Sequence, residues 1–307
     1  MKILITGANG LLGQKLIALL AHEDKVEVVA TSKGENVNIY DLPDYHFRSM
    51  DISKQEEVFQ VVGEEQPDII IHTAAMTNVD QCEEAKEKCW SVNVVAVSDL
   101  LEAARETGAF FIHLSTDFIF NGTHGPISED EKADPVNYYG KSKTEAELLV
   151  RQSGVDFAII RTALVYGITP NMSRSNLVLW VKNSLEDGKA IKVVDDQYRT
   201  PTLAEDLAMG CWLVAQKRAQ GVFHISEEEV YTPYEMAHLV ARHFRLDEKL
   251  ISQTDSSEFT QPAKRPPRTG FIIEKAKKEL GYKPHSFEEG LYVVEEQIAE
   301  IEKLHKP

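Results

Sequence analysis

The chain has 307 residues, of which 43% are hydrophobic, so it can form one large domain or two unequal ones with buried cores. Lys and Arg number 33 against 49 Asp and Glu, which gives a formal net charge of −16. Because a negative surface repels a phosphate backbone, a nucleic-acid partner is not expected. The composition also excludes a disordered or fibrous chain.

The cysteines and the apolar runs bear on the cell compartment. Cys82, Cys89 and Cys211 form neither a CxxC pair nor a His/Cys cluster, so we expect neither disulfides nor a metal site. The first strand starts at residue 2 without a basic leader, and no apolar run approaches the roughly 18 residues of a membrane span. We therefore expect a soluble cytoplasmic protein without a membrane partner.

Strands and helices alternate through the first half of the chain. The predicted strands are residues 2–6, 26–30, 68–72, 110–115 and 156–161, and the predicted helices are 11–20, 54–63, 84–107 and 142–152. Repeated units of this length predict an α/β fold of the Rossmann type, with a doubly wound parallel sheet covered on both faces.

From about Tyr166 the pattern loosens. The predicted elements are then 177–186, 191–194, 203–217, 222–225, 233–244 and a C-terminal helical stretch. We predict a dinucleotide-binding domain over residues 1–165 and a smaller, mixed α/β substrate-binding lobe over 166–307, with some chain returning to the first domain. Residues 300–307 are expected to form a solvated tail.

A glycine-rich turn joins the first strand to the first helix. Gly7, Gly10 and Gly13 have the spacing GxxGxxG, which an ordinary strand-to-helix turn can also carry. Here the turn opens an amphipathic helix, whose free N–H groups favour an anion, and glycines admit a pyrophosphate close to the backbone. We predict a dinucleotide site. Further contacts to the cofactor are expected from Asn9, Leu11 and Leu12.

The end of the second strand bears on the choice between NADP and NAD. Ser32 and Lys33 stand where NAD enzymes usually carry an acid, so NADP is favoured and NAD is possible. A Lys33 that is merely solvated fits the pattern equally well. The remaining cofactor contacts are expected from Asp51 and Ile52 around the adenine, and from Thr73, Ala74 and Ala75 at the end of the third strand.

Tyr139 and Lys143 form a YxxxK pair on one face of a predicted helix. A neighbouring ammonium favours the phenolate, which brings a pKa of about 10 toward the range useful for proton transfer. Ser115 and Thr116 end a strand at the carboxyl edge of the sheet, where open α/β folds bind ligands. A lone YxxxK also fits a surface helix. With Thr116 it predicts a catalytic set for a carbonyl or alcohol.

These motifs, in this order, resemble those of the extended short-chain dehydrogenases/reductases, and within that superfamily the dTDP-4-dehydrorhamnose reductases. The similar segments are residues 77–80, 115–122, 139–143, 161–162, 165–167, 196–198, 201–202 and 265–266, together with the glycine turn, residues 51–52 and 73–75, and Asn93. The resemblance spans nearly the whole chain.

The resemblance implies hydride transfer from a reduced nicotinamide to the 4-keto carbon of a nucleotide-linked deoxysugar, with a dTDP-sugar as the expected substrate. Tyr139 would donate the proton, Thr116 would bond the keto oxygen, and Lys143 would hold the nicotinamide ribose and lower the pKa of the tyrosine. Asn93 would hold Lys143 through water.

Some positions depart from the reductase pattern. Ala163 and Leu164 replace Ser-Trp, which removes a flat wall, and Arg199 replaces a glycine and adds a cation suited to phosphate or carboxylate. The sugar therefore need not lead to rhamnose. Arg265 is the candidate for the substrate diphosphate, with an interlobe ion pair as the alternative. Substrate contacts are expected from Thr77, Val79, Asp117, Phe118, Thr162, Asn176, Arg199 and Arg265.

Other functions share parts of this pattern. Sugar-nucleotide 4,6-dehydratases carry an acidic pair where this chain has Asp117 and Phe118, so elimination is disfavoured. A 4-epimerase shares the Thr, Tyr and Lys set. The regulatory β subunit of methionine adenosyltransferase resembles the same reductases, so a non-catalytic cofactor-binding subunit stays open. A homodimer through residues 86–105 and 142–152 is expected by analogy, and His113 and His224 are expected to be core histidines.

Overall fold

The computed structural model describes residues 1–38, 45–172, 174–259 and 261–304. Its strands are β1 Lys2–Thr6, β2 Glu27–Ser32, β3 Tyr45–Ser49, β4 Ile69–His72, β5 Phe110–Thr116, β6 Phe157–Thr162, β7 Val165–Tyr166, β8 Ile191–Val194, β9 Thr202–Leu203, β10 Gly221–His224 and β11 Ile251–Thr254. Its α-helices are α1 Leu11–Leu20, α2 Gln55–Glu65, α3 Val79–Glu84, α4 Lys86–Trp90, α5 Ala96–Thr107, α6 Tyr138–Gln152, α7 Leu177–Glu186, α8 Ala204–Lys217, α9 Pro233–His243 and α10 Phe287–Leu304.

A seven-stranded parallel sheet of the described residues has the order β10-β6-β5-β4-β1-β2-β3. Its central strands β4 and β5 are buried along their whole length. Continuous burial is what a parallel sheet covered by helices on both faces requires. The predicted α/β Rossmann-type fold is confirmed.

Helices cover both faces of this sheet with two apolar cores. On one face α1 and α8 pack together, with Leu16 and Leu207 in the same buried cluster. On the other face α2, α5 and α6 contribute Val58, Leu100 and Ala146 to a second cluster. The carboxyl ends of β1, β4 and β5 lie at one edge between these layers, and the strand-to-helix turns meet there.

A third apolar cluster belongs to the smaller lobe, where α7, α9 and α10 pack around Tyr166, Met236 and Phe287. The short pair β8–β11 lies in this part of the chain. However, β10 pairs with β6, and α8 packs on α1. The second half of the chain thus supplies both a strand and a helix to the first domain.

Several element boundaries differ from those read in the sequence. The predicted helix 84–107 is broken at Ala85 and continues through a π-helical turn at Ser91–Val95. Helix α6 starts at Tyr138 rather than 142, and the polar edge strand β3 was not predicted. The expected solvated tail at 300–307 is helical as far as Leu304, where α10 ends, and Glu300, Glu302 and Lys303 are exposed. Residues 305–307 lie outside the described part.

The described residues contain neither a membrane-spanning helix nor a metal-binding cluster. No helix there combines the length and the apolar character needed to cross a membrane. No group of three or more His, Cys, Asp or Glu side chains in the same residues is arranged to hold a metal ion.

Candidate active site

The glycine turn lies at the carboxyl end of β1, against the end of β4. Gly7 has a φ of +72°, and a Cβ there would come within 2.8 Å of the Ala74 backbone. A Cβ on Gly13 would lie 2.3 Å from the carbonyl oxygen of Gly7. Gly10 precedes α1, and no side chain caps that helix. At these glycines, the turn therefore presents backbone groups rather than side chains to a ligand at the N-terminus of α1.

One polar side chain of the turn, Asn9, already has hydrogen-bond partners within the protein. Asn9 Nδ2 donates to the Glu35 carbonyl at 2.8 Å, and its Oδ1 accepts from the Val37 amide at 3.3 Å. Asn9 thus fastens the loop after β2. Leu11 and Leu12 are half-buried at the start of α1.

Lys33 extends from the end of β2 toward Asp51. Its Nζ lies 2.8 Å from Asp51 Oδ2, while 79% of its side chain stays exposed. The hydrogen bond from Lys33 lowers the pKa of Asp51 to about 2. Ser32 is half-buried and Ile52 is buried beside this pair. Lys33, which we expected either to favour NADP or to be solvated, thus lies beside an ionised acid.

The end of β4 is tied to β1. Thr73 donates to the Thr6 carbonyl at 2.6 Å, and the Ala74 amide donates to the Thr6 hydroxyl at 3.3 Å. Ala74 and Ala75 are half-buried, with small side chains next to the turn. Ser115, on the neighbouring strand β5, has a buried hydroxyl without a hydrogen-bond partner among the described residues.

Tyr139 and Thr116 come together at the carboxyl end of β5. Both are buried, at 9% and 7% exposure. Burial raises the pKa of the Tyr139 phenol well above its usual range, while a hydrogen bond with the Thr116 side chain acts in the opposite direction. We expected Lys143 to lower this pKa; in the structure the desolvation of the phenolate dominates.

The start of α6 is held in place by its neighbours. Asn137 caps the helix by accepting from the Gly140 amide at 2.8 Å, and Glu83 accepts from the Tyr138 amide at 2.7 Å. A Cβ on Gly140 would lie 2.1 Å from the carbonyl oxygen of Phe118. Glycine between the tyrosine and the lysine lets α6 approach the turn after Thr116, a packing role that the sequence analysis missed.

Lys143 lies one helical turn after Tyr139 and is 3% exposed. Burial lowers the pKa of its ammonium to about 8, against the attraction of Glu147. Its Nζ is 3.2 Å from Nε2 of His113 on β5. We expected His113 to be a core histidine; it is buried, but it also contacts the predicted catalytic lysine.

Asn93 makes direct contacts within the protein. Its side chain bonds the Met76 amide at 2.8 Å and the Met76 carbonyl at 3.1 Å, and it donates to Ser142 Oγ at 3.0 Å. These bonds brace the loop after β4 against α6. The π-helical turn that carries Asn93 is thereby fixed, and the direct contact to Lys143 comes from His113.

Arg199 and Asp117 form an ion pair beneath Thr116. Both are buried, and Arg199 Nε lies 3.5 Å from Asp117 Oδ2. Asp117 also accepts from Thr116 at 3.0 Å and from Thr269. The guanidinium donates to the carbonyls of residues 198, 266 and 267. The structure thus commits this cation to internal partners, which differs from the expected contact with substrate.

Arg265 forms a fork with Asp80. Its Nη1 and Nη2 lie 2.7 and 2.6 Å from the two carboxylate oxygens. This is the ion-pair alternative considered for Arg265, and it joins the first turn of α3 to the loop at 261–268. Asp80 also accepts from the Ala263 amide at 3.1 Å.

The other expected substrate residues are distributed unevenly. Val79 and Phe118 pack against the apolar cluster that contains Tyr139, with the Phe118 and Tyr139 ring centroids 6.0 Å apart. Thr77 is exposed. Thr162 donates to Thr202 Oγ1 at 3.0 Å. Asn176 caps α7 and donates to the Gly167 carbonyl at 2.7 Å, so its side chain has a structural role.

The family model of the RmlD substrate binding domain matches residues 1–300. The chain belongs to this family. It is 34% identical over 292 residues to the spore coat polysaccharide biosynthesis protein SpsK of Bacillus subtilis, covering 94% of this chain and 95% of that protein. It is 31% identical over 255 residues to the methionine adenosyltransferase 2 subunit beta of Rattus norvegicus, covering 80% and 72%.

Solved structures of dTDP-4-dehydrorhamnose reductases are similar over nearly their full length. The structure from Clostridium acetobutylicum superposes with a TM-score of 0.86 at 31% identity, covering 97% of the RmlD-family chain and 100% of that chain. The structure from Bacillus anthracis, in complex with NADP, superposes with a TM-score of 0.82 at 27% identity, covering 96% and 99%.

Proposed function

We propose that this RmlD-family protein is an NADPH-dependent reductase of a nucleotide-linked 4-keto-deoxysugar. The observation that carries the proposal is the placement of Thr116, Tyr139 and Lys143. All three are buried at the carboxyl end of β5 and the start of α6, and Lys143 follows Tyr139 on the same helix face. Only β4 separates β5 from β1, whose glycine turn lies at the same edge. The proton donor and the proposed cofactor site thus share one edge of the sheet.

The residues at the turn fit a dinucleotide. A Cβ at Gly7 or Gly13 would collide with backbone, so only glycine allows the close packing of this turn. Helix α1 begins without a capping side chain, which leaves its first N–H groups accessible to a ligand. A pyrophosphate would accept from the N–H groups of Leu11 and Leu12 and gain from the helix dipole. The Gly10 amide already donates to the Gly7 carbonyl at 2.9 Å and closes the turn. The unpartnered Ser115 hydroxyl is a further free polar group on that edge.

The cofactor proposed is NADPH, with NADH as the weaker alternative. Lys33 is mostly exposed at the end of β2, where it can meet a 2′-phosphate, and Ser32 adds a hydroxyl. Asp51 offers an ionised acceptor for the adenine amino group. Ile52, Thr73, Ala74 and Ala75 would line the remainder of the cofactor site.

When bound, the reduced nicotinamide supplies a hydride to the substrate carbonyl carbon. Tyr139 donates its phenolic proton to the carbonyl oxygen. For Thr116 to donate to the same oxygen, its hydroxyl would turn from Asp117, to which it now donates at 3.0 Å. The raised pKa of Tyr139 keeps the phenol protonated before the reaction. Lys143 holds the nicotinamide ribose with its ammonium, which predominates below its pKa of about 8. Reprotonation of Tyr139 completes the cycle.

The substrate is proposed to lie over Phe118 and Val79, beside Tyr139. Thr77 and Thr162 add hydroxyls to the proposed substrate contacts. A nucleotide diphosphate requires a cation, and Arg265 is the candidate, although it must share its guanidinium with Asp80. The reductases among the similar structures favour a dTDP-sugar.

The experiment is oxidation of NADPH, followed at 340 nm, with 4-keto-6-deoxysugars linked to dTDP, UDP and GDP. We expect turnover with at least the dTDP-sugar and loss of turnover in Tyr139→Phe. Consumption of NADPH by the variant at the parent rate would contradict the proposal.

A second candidate is a cofactor-binding regulatory subunit, which the similarity to the methionine adenosyltransferase 2 subunit beta favours. This reading requires NADPH binding without turnover of any nucleotide sugar. The discriminating result is a stoichiometric complex with a methionine adenosyltransferase whose activity changes on binding.

We also propose a cytoplasmic homodimer. All three cysteines are free thiols, as is usual in a reducing compartment. Val95 and Leu148, on the two stretches expected to pair, are 47% and 43% exposed. Sedimentation of Leu148→Glu against the parent chain tests the dimer; an unchanged dimer mass would contradict this interface.

A further inference from the structure

A pair of buried histidines lies behind Lys143. His72 on β4 and His113 on β5 are in register in the parallel sheet, and their rings stack with centroids 5.5 Å apart. They are 1% and 0% exposed. Two imidazoles in the centre of an apolar sheet are costly to bury, so their placement calls for a reason beyond packing.

Each histidine of the pair has one polar side-chain partner outside the pair. Lys143 Nζ lies 3.2 Å from His113 Nε2, and His72 Nδ1 lies 2.7 Å from the Thr6 hydroxyl. The other two ring nitrogens, His113 Nδ1 and His72 Nε2, have no partner among the described residues. An ammonium has no acceptor capacity, so the lysine must donate, and His113 Nε2 is the acceptor.

The electrostatic surroundings keep both rings neutral. Burial lowers the pKa of His72 to about 3 and that of His113 well below its usual value, and the Lys143 charge acts in the same direction. The other charged or titratable groups facing Lys143 are Glu147 on its own helix and Cys89 from α4. The imidazole is therefore an uncharged acceptor that does not compete for the proton.

We infer that His113 is a positioning residue for the proposed reductase: its Nε2 accepts a hydrogen bond from Lys143, fixes that side chain toward the ribose site and keeps it charged. His72 supports the His113 ring from the adjacent strand. This inference rests on the proposed function for its effect on turnover, but its effect on cofactor binding does not require a substrate.

Without the acceptor, burial would lower the pKa of Lys143 further, and the ammonium would be lost at a lower pH. The test compares His113→Leu with His113→Gln, whose amide oxygen reaches the Nε2 position. The control is His224→Leu, which removes a buried histidine from β10, two strands away from β5 in the same sheet. Two measurements are made from pH 6 to 9: kcat, and the Kd of NADPH by fluorescence titration.

We expect the alkaline limb of both profiles to move down by about one pH unit in His113→Leu, which is the size of one hydrogen bond to a charged group. His113→Gln should restore most of this shift, and His224→Leu should keep the parent profile. If His113→Leu does not fold, His113→Asn replaces it, because the Asn amide ends at the Nδ1 position and does not reach the lysine.

Equal profiles for His113→Leu, or its Asn replacement, and His224→Leu would overturn the inference. If the parent protein binds NADPH but reduces no 4-keto sugar, the proposed reaction fails and the binding profile still decides the role of His113. If the parent protein does not bind NADPH, both proposals fail together.

Discussion

Arg199 and Asp117 face each other inside the protein, with Nε and Oδ2 3.5 Å apart and neither side chain more than 5% exposed. The same guanidinium bonds the carbonyls of Pro266 and Pro267, at 2.6 and 3.1 Å. One buried cation therefore links the end of β5, beside Tyr139, to the loop at 266–269. The arginine that replaces the glycine of the reductase pattern therefore ties together two segments beside the proposed substrate site.

We predict that Arg199→Leu lowers the free energy of unfolding by about 3–5 kcal/mol, because Asp117 is left as an unpaired buried charge. The double variant Asp117→Asn with Arg199→Leu should recover part of this loss. Urea unfolding of the three proteins measures both effects. A single variant as stable as the parent chain would show that the pair does not act as the structure indicates.

The buried carboxyl group of Glu227 should make the stability of the fold depend on pH. It is buried, and burial raises its pKa from 4.5 to about 8. Because the folded-state pKa lies above the unfolded-state value, the folded protein holds an extra proton between these two pH values. The free energy of unfolding should fall as pH rises from about 4.5 to about 8, relative to Glu227→Gln. Unfolding curves of both proteins at several pH values check this; parallel pH profiles would contradict it.

Gly13 and Gly63 form a matched pair for the glycine turn. A Cβ on Gly13 would lie 2.3 Å from the Gly7 carbonyl oxygen, whereas a Cβ on Gly63 in α2 would meet nothing within 4 Å. Gly13→Ala should raise the Kd of NADPH by about tenfold or more, since strain of about 1–3 kcal/mol displaces the turn. Gly63→Ala should leave that Kd unchanged and stabilise the fold by about 0.5–1 kcal/mol. Equal Kd values by fluorescence titration would argue against the turn as the cofactor site.

Tyr139→Phe should lower kcat by about 10²–10⁴-fold, because the variant lacks the proton donor. NADPH affinity and thermal stability should change little, since the ring still packs against Phe118. Tyr138→Phe, at the preceding position, is the control and should keep the parent kcat. Rates of NADPH oxidation compare the three proteins, and a similar loss in both variants would indicate a general disturbance of α6.

Lys33→Ala tests the choice of cofactor. Removing this exposed cation should raise the Kd of NADPH by about three- to tenfold and leave that of NADH unchanged, because only NADPH has a 2′-phosphate. Lys54→Ala removes another exposed lysine, paired with Glu57, and should change neither value. A parallel change for NADPH and NADH would place Lys33 outside the phosphate site.

The sequence predicted the sheet and the residues of the proposed catalytic set, because hydrophobic periodicity and the YxxxK spacing are local patterns. It did not predict β3, whose residues are mostly polar at a sheet edge, nor the start of α6 at Tyr138, which depends on a cap by Asn137 and a bond to Glu83. The contacts of Arg199 and of His113 join distant parts of the chain. A single sequence does not show which cationic side chains find their partners inside the folded protein.

The pairing of β10 with β6 means that residues 1–165 are not a separable module. A fragment ending there would expose β6 as an unprotected edge strand and would leave bare the face of α1 that α8 covers. Such edges invite pairing between chains and aggregation. Because the polypeptide must be complete through residue 224 before the sheet can close, its two halves depend on each other during synthesis.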